Sequence, residues 1–267
     1  MAKAPALKKK ANQLPTISDD VLESMSGMGT GLENVTGADL IIPRMGILQA
    51  LSPQVKQGKP EFDEDARVGQ IYDIGLRESF GDELHFLPVH FFKQWLEWAP
   101  RSTGKGLITI HTSTATFDEY ERNEKGIPVS PEGNTIQETY QFYGLNLDAM
   151  NRRTFIPFAS TQIKKARRLL TLATGEKVKL KDGSEQTPPL FFRSYKLGTV
   201  PESNVEGDWI GWTVERDAPL NELPEWGNIL EEVKIFREQV SSGSVQGDVS
   251  DLQNEAASAQ KSNEGDI

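Results

Sequence analysis

The 267 residues suffice for one large domain with tails or for two small ones, and a charged fraction of 25% with mean hydropathy −0.48 marks a water-soluble chain. No apolar run approaches the length of a membrane span, and the absence of cysteine excludes disulfides, thiolate metal sites and thiol nucleophiles. With a net charge of −10, the chain would be expected to spread its 29 Lys and Arg residues, so a local concentration of them carries information.

Residues 1–36 are rich in Lys, Ser, Met and Gly and read as a flexible N-terminal arm. Its opening lysines lack the apolar segment of a signal peptide, so secretion is not expected. The run Gly27-Met28-Gly29-Thr30-Gly31 imitates a dinucleotide fingerprint, but no strand precedes it, and it reads as linker. Ordered structure is expected from Asp39 to Leu51, with Ser52-Pro53 ending the apolar run and an acidic loop at Glu61 to Asp65. Strand-like runs follow at Val68 to Ile74, Glu83 to Trp98, Gly106 to Thr112, Thr135 to Leu147, Arg152 to Phe158, Pro189 to Leu197 and Trp209 to Glu215. The second is long for a strand, and Pro88 within it suggests an edge position or a break. Arg101 to Gly106 lacks the spacing of a phosphate loop and reads as a basic hairpin turn.

Two helices stand out, Ser160 to Thr174 and Glu225 to about Val240, the latter with Trp226, Ile229, Leu230, Val233, Phe236 and Val240 on one stripe. The segment 241–267 carries five acids against Lys261, has no aromatic residue, and reads as a disordered acidic tail. These elements predict a mainly β (α+β) protein. Its body, residues 37–240, is expected to be an OB-like curved sheet or small barrel with two appended helices and disordered tails.

The cations concentrate between Arg152 and Lys196, where eleven Lys and Arg meet three acids, so the rest of the chain sums to −18. On the first predicted helix, with Ser160 or Thr161 as N-cap, Ile163, Ala166, Leu169, Leu170 and Ala173 share one side. Lys164, Lys165, Arg167 and Arg168 centre on the other. Arg152 and Arg153 open the preceding strand, and Lys177 and Lys179 follow the helix. Strand alternation would then put Phe191, Arg193 and Tyr195 on one face, a stacking platform with a cation between aromatics, with Lys196 beside it. A solvated helix face and core phenylalanines are the ordinary explanation for each element alone. Their concentration in an acidic chain favours a polyanion partner, and cations with aromatics suit a single nucleic-acid strand, whose bases stack while Lys and Arg follow the phosphates.

Catalytic signals are sparse. His85, His90 and His111 lie on predicted strands without metal-ligand spacing and read as structural, and no Gly-x-Ser-x-Gly elbow is present. The acids sit mostly in loops, so a metal-dependent nuclease is the weaker reading; no enzyme activity and no cofactor are expected.

Asp39-Leu40-Ile41-Ile42-Pro43-Arg44 through Leu51-Ser52-Pro53, and Phe86-Leu87-Pro88-Val89 through Glu97-Trp98-Ala99-Pro100-Arg101, resemble a family of bacteriophage single-stranded DNA-binding proteins. Phe155 to Gln162 with Lys164-Lys165-Ala166-Arg167, and Pro188 to Arg193, are similar to it as well. The resemblance runs from about residue 38 to 240. It implies an OB-like fold, single-stranded DNA as partner, a place in phage replication or recombination with proteins of those processes as further partners, and the host cytoplasm as location. The chain ends Gly265-Asp266-Ile267, without the terminal Phe of many single-strand binders. The expected function is thus coating of single-stranded DNA without strong sequence preference. The alternatives are a phage structural or assembly protein with a basic protein-contact face, and a metal-dependent nuclease.

Overall fold

The computed structural model describes residues 17–36, 39, 42–205, 207–249 and 252. In chain order the strands are β1 (Met45–Ile47), β2 (Ile71–Asp73), β3 (Glu78–Gly81), β4 (Glu83–Trp98), β5 (Leu107–His111), β6 (Glu121–Arg122), β7 (Pro128–Val129), β8 (Thr135–Asn146), β9 (Arg152–Ala159), β10 (Val178–Lys179), β11 (Glu185–Gln186), β12 (Arg193–Asn204) and β13 (Gly207–Pro219). The α-helices are α1 (Asp19–Met25), α2 (Ile163–Thr174) and α3 (Trp226–Ser241). The main sheet has eight strands in the order β13-β12-β4-β8-β7-β6, with β5 also pairing β4 and β9 also pairing β8. It curls into a half-barrel, the mainly β, OB-like architecture expected. Strands β1 to β3 form a small second sheet, and β10 and β11 a hairpin.

The spine is β4, which pairs β8 from Phe86 to Trp98, while its other edge pairs β12 over Glu83–Phe86 and β5 over Trp95–Trp98. Pro88 neither ends this strand nor sits on an edge strand. The ladder passes from Pro88↔Gly144 to His90↔Tyr143, leaving Val89 unpaired in a β-bulge. A bulge tolerates the missing N–H, and Pro88 lies beyond the residues that pair β12. Opposite it, residue 144 has to be glycine, because a Cβ there would meet the Leu87 carbonyl oxygen at 2.3 Å and the Phe86 ring at 2.5 Å.

Alternation along β4 and β8 divides the core between the two faces of the sheet. On one, Leu87, Val89, Leu96, Trp98, Tyr143, Leu145 and Phe155 pack beneath Ile229, Val233, Phe236 and Val240 of α3. On the other, Leu84, Phe86, Phe142, Ile156, Phe158, Tyr195, Leu197, Trp212 and Val214 pack with Ala166 and Leu169 of α2, and with Met45, Ile47 and Ile71 of the small sheet. Burying stripes of this kind is the main stabilising term, roughly 1.5–3 kcal/mol per large side chain.

Three expectations need correction. The body does not end at residue 240: Val245, Val249 and Leu252 are buried in the α3-side cluster, and Gly247 bridges Ile42 in parallel. The polar composition of that stretch hides three apolar residues spaced to close the gap over Phe155 and Tyr143. The region before β12 is not a strand from Pro189, because Leu190–Phe192 is a 3₁₀ turn after Pro188-Pro189. Nor do Ser160 and Thr161 cap α2: they belong to a 3₁₀ turn, and Gln162 holds the N-cap position in a helical conformation with no side-chain cap bond. Residues 17–36, α1 included, are exposed throughout. No helix among the described residues is long and apolar enough to cross a membrane.

Candidate nucleic-acid interface

Helix α2 lies against the outer edge of β13, and this position decides which of its polar groups are free. An edge strand leaves alternate N–H and C=O groups unpaired. On β13 they find side chains: Gln49 accepts from the Ile210 N–H and donates to the Ile210 carbonyl, both at 2.9 Å. The Gln162 Oε1 accepts from the Trp212 N–H at 2.9 Å, and the Arg168 Nε donates to the Val214 carbonyl at 3.0 Å. Arg168 is therefore tied to the edge through its Nε, although the residue as a whole stays exposed. Lys165 is also engaged, its Nζ 2.8 Å from Glu202. Burial alone would raise the Glu202 carboxyl, but hydrogen bonds from Lys165, Gln162 and Trp209 outweigh it and hold the group down at about 2.

Four of the nine other basic residues between Arg152 and Lys196 are similarly occupied. Arg152 donates to Glu78 at 2.6 Å and lies 3.9 Å from the fully buried Asp73, whose carboxyl burial pushes up despite that guanidinium. Arg153 bonds Glu232 and Gln239 of α3 and lies over the Phe236 ring. Arg193 grips the Glu176 carboxylate with two nitrogens and donates to the Asp217 carbonyl. Lys196 lies 3.4 Å from Glu83 and 3.7 Å from Glu215.

The expected platform of Phe191, Arg193 and Tyr195 does not form. Tyr195 is 1% exposed, and burial drives its phenol up to about 12. Phe191 is in the 3₁₀ turn, packed against the α3-side cluster with the Arg237 guanidinium 5.9 Å from its ring. Strand alternation does not extend across that turn, and the ladder of β12 shifts register again between Arg193 and Tyr195.

What remains outward is narrower. The Lys164 and Arg167 side chains are 64% and 63% exposed, with the Lys164 Nζ 3.7 Å from Glu202. Lys177 donates to Thr187 at 2.8 Å, and Lys179 is exposed on the β10–β11 hairpin. Arg167 lies with its guanidinium 5.7 Å from the centre of the Tyr140 ring. Beside it the Lys93 Nζ lies 4.8 Å from the centre of Trp95 and 5.6 Å from that of Tyr140. Glu138 stands between the two cations, 2.6 Å from Lys93 and 3.8 Å from Arg167. Phe91 meets Tyr140 edge-on at 5.4 Å.

This ledge follows from alternation past the bulge. Phe91, Lys93 and Trp95 project from β4 to the same side as Glu138, Tyr140 and Phe142 of β8, because Phe91 pairs Phe142, Lys93 pairs Tyr140 and Trp95 pairs Glu138. Trp95 and Tyr140 stand out in sequence as aromatics, but Lys93 does not, being one cation in an apolar run. Its signal is the period-2 spacing Phe91-x-Lys93-x-Trp95; the partner strand and its register cannot be read from one strand.

The histidines all have local partners. His85 engages Asp148, His90 packs on Phe92 at 4.4 Å, and His111 lies 2.8 Å from Glu97, which also accepts from Asn134. Among the described residues no three His, Asp or Glu converge as a metal site.

The fold and the ledge thus describe a β-sheet scaffold that offers cations on aromatic rings and no cluster of metal ligands among the described residues. The model of the Pam3 phage gp34-like protein family matches residues 9–246, so the chain belongs to that family and is a phage protein. No curated protein and no solved structure matches it.

Proposed function

We propose that this phage protein binds single-stranded DNA with little sequence preference, as a non-enzymatic factor in replication or recombination in the host cytoplasm. The observation that carries the reading is the ledge, where Arg167 and Lys93 lie over Tyr140 and Trp95 with Lys164 exposed on the adjoining helix. Bases can stack on the half-buried Trp95 ring while the three cations follow the backbone. With Glu138 and Glu202 offsetting part of that charge, the number of phosphates neutralised is small.

Fluorescence titration with oligo-dT tests this directly. Three phosphate contacts at about −0.7 each give a log–log salt slope of about −2 for a single strand, shallower than the full basic window would produce. A matched duplex should bind more weakly, because it offers no free base to stack. Equal binding of both, or no binding at low salt, would overturn the reading. One observation favours the alternative of an assembly protein: Val21, Leu22, Met25, Met28 and Leu32 of the arm are all exposed. A negative titration would move support to it.

A further inference from the structure

Of the outer strands β13, β9, β6 and β5, the first three are guarded. Gln49, Gln162 and Arg168 plug β13. The outer edge of β9 is covered by residues 43 and 44, through the Phe155 N–H to the Pro43 carbonyl at 3.0 Å and the Arg44↔Phe155 bridge. Strand β6 is two charged residues long. Strand β5, Leu107-Ile108-Thr109-Ile110-His111, pairs only β4, and no plug or covering segment occupies its other edge among the described residues. Ile108 is 45% and Ile110 38% exposed, and these are the only large hydrophobic residues on any described strand that reach such exposure.

Long, apolar, unplugged edges are what soluble sheet proteins avoid, since unpaired N–H and C=O groups recruit another strand. From this geometry we infer that β5 is a homodimer interface, joining two copies of the chain antiparallel, edge to edge, into one continuous sheet.

A second copy suits the strand because β5 complements itself. It carries no Lys, Arg, Asp or Glu, and its one ionisable group, His111, is held 2.8 Å from Glu97 within its own sheet. The β4–β5 register leaves Ile108 unpaired in a bulge, so the regular ladder on β5 is Thr109, Ile110 and His111. A twofold axis through its midpoint sets Ile110 against Ile110 and Thr109 against His111, and it brings Ile108 opposite Thr112. Two branched aliphatics then meet at the axis, with Cβ atoms about 4.5–5.5 Å apart. No like charges are brought together across the junction.

The rest of each copy opposes association. At a net charge of −10 the copies repel, so the dimer is weak at low salt and tightens as salt screens that repulsion. This is the opposite salt response from that of nucleic-acid binding, and the inference stands apart from that reading.

The test is sedimentation velocity on the full chain, from micromolar to sub-millimolar concentration at low and moderate salt. The expected result is a monomer–dimer equilibrium that shifts towards dimer with salt. Ile110→Lys, whose circular dichroism and melting temperature should match the parent, should leave only monomer. Because the chain has no cysteine, Ile110→Cys adds its sole thiol, and mild oxidation should give a disulfide-linked dimer on a non-reducing gel. A Ser203→Cys control, in an exposed position at the end of β12, should not cross-link. A parent that stays monomeric throughout, or a dimer that survives Ile110→Lys, would overturn the inference. Equal cross-linking of both cysteine variants would overturn it too.

Discussion

Helices α2 and α3 both lay an apolar stripe on the half-barrel, yet they use their polar residues in different ways. Helix α3 covers a sheet face, where the strands have already paired their backbone groups, so its contribution is shape: Ile229, Val233, Phe236 and Val240 fill the cluster, while Trp226 and Ile235 remain exposed. Helix α2 covers a sheet edge. There the strand presents bare N–H and C=O groups, which must be hydrogen-bonded when buried. Gln162 and the Arg168 Nε are therefore spent on the edge, and Lys165 neutralises Glu202. A charged residue on an edge-covering helix cannot be counted as surface charge until the edge has been satisfied. Arg167 and Arg168, neighbours in sequence and both exposed, differ in that only Arg168 bonds the edge.

The contrast can be broken from the α3 side with the largest effect. Phe236→Ala empties a fully buried position and should cost about 3–5 kcal/mol, read as a lower denaturation midpoint. A loss under about 1 kcal/mol would mean that α3 does not seal that face as described.

On the α2 side, Gln162→Leu removes the acceptor of the Trp212 N–H and a donor to Glu202, and should cost about 1–3 kcal/mol for the groups left unsatisfied. An added tendency to aggregate through the bared β13 edge is expected, seen as light scattering below the melting temperature. Unchanged stability with no aggregation would show that water replaces the plug.

The Glu202 carboxyl gives the same edge a pH signature. Its folded value, about 2, lies below the ordinary 4.5. Its ionised form therefore contributes stability that is fully present above pH 4.5 and is lost as pH falls from 4.5 towards 2. Melting temperatures across that window should drop less steeply in Glu202→Gln than in the parent. Parallel curves would assign the acid loss to other carboxylates.

The smallest effect on stability separates α2's outward cations from its inward ones. Lys164→Glu with Arg167→Glu should leave the denaturation midpoint nearly unchanged while weakening oligo-dT binding for all sequences alike. Trp95→Ala should lose about 1–3 kcal/mol of binding if the ring stacks on a base. A charge-reversed variant that is folded and binds normally would remove the ledge as the site.

The sequence shows the strand and helix positions because side-chain periodicity is local. Alternation in Glu83 to Trp98 and the stripe at Ile229, Val233, Phe236 and Val240 need no knowledge of what they pack against. The fate of each cation depends on long-range pairing. Arg152 meets Glu78 across 74 residues and Arg168 meets the Val214 carbonyl across 46, so an excess of charge in one window could not reveal its neutralisation from elsewhere. Tyr195 departs from the expected face for a different reason. The Pro188-Pro189 pair leads into a turn where composition alone suggests an unbroken strand, and alternation does not carry across a turn.

Gly247 has a kinetic consequence. Its N–H donates to the Tyr143 hydroxyl, and a Cβ there would meet the Phe155 ring at 2.4 Å, so the segment around it lies directly on the core beside Ile42. That contact closes a loop of roughly two hundred residues, whose entropy must be lost before the contact returns any free energy. The closure is thus expected among the last steps of folding and the first of unfolding, a latch whose release bares the stacked Tyr143 and Phe155 rings while the β4–β8 ladder still holds. Native-state hydrogen exchange would show it as a Gly247 amide that opens well below the global unfolding free energy. If that amide exchanged only with the β8 amides, the latch and the sheet would be a single cooperative unit.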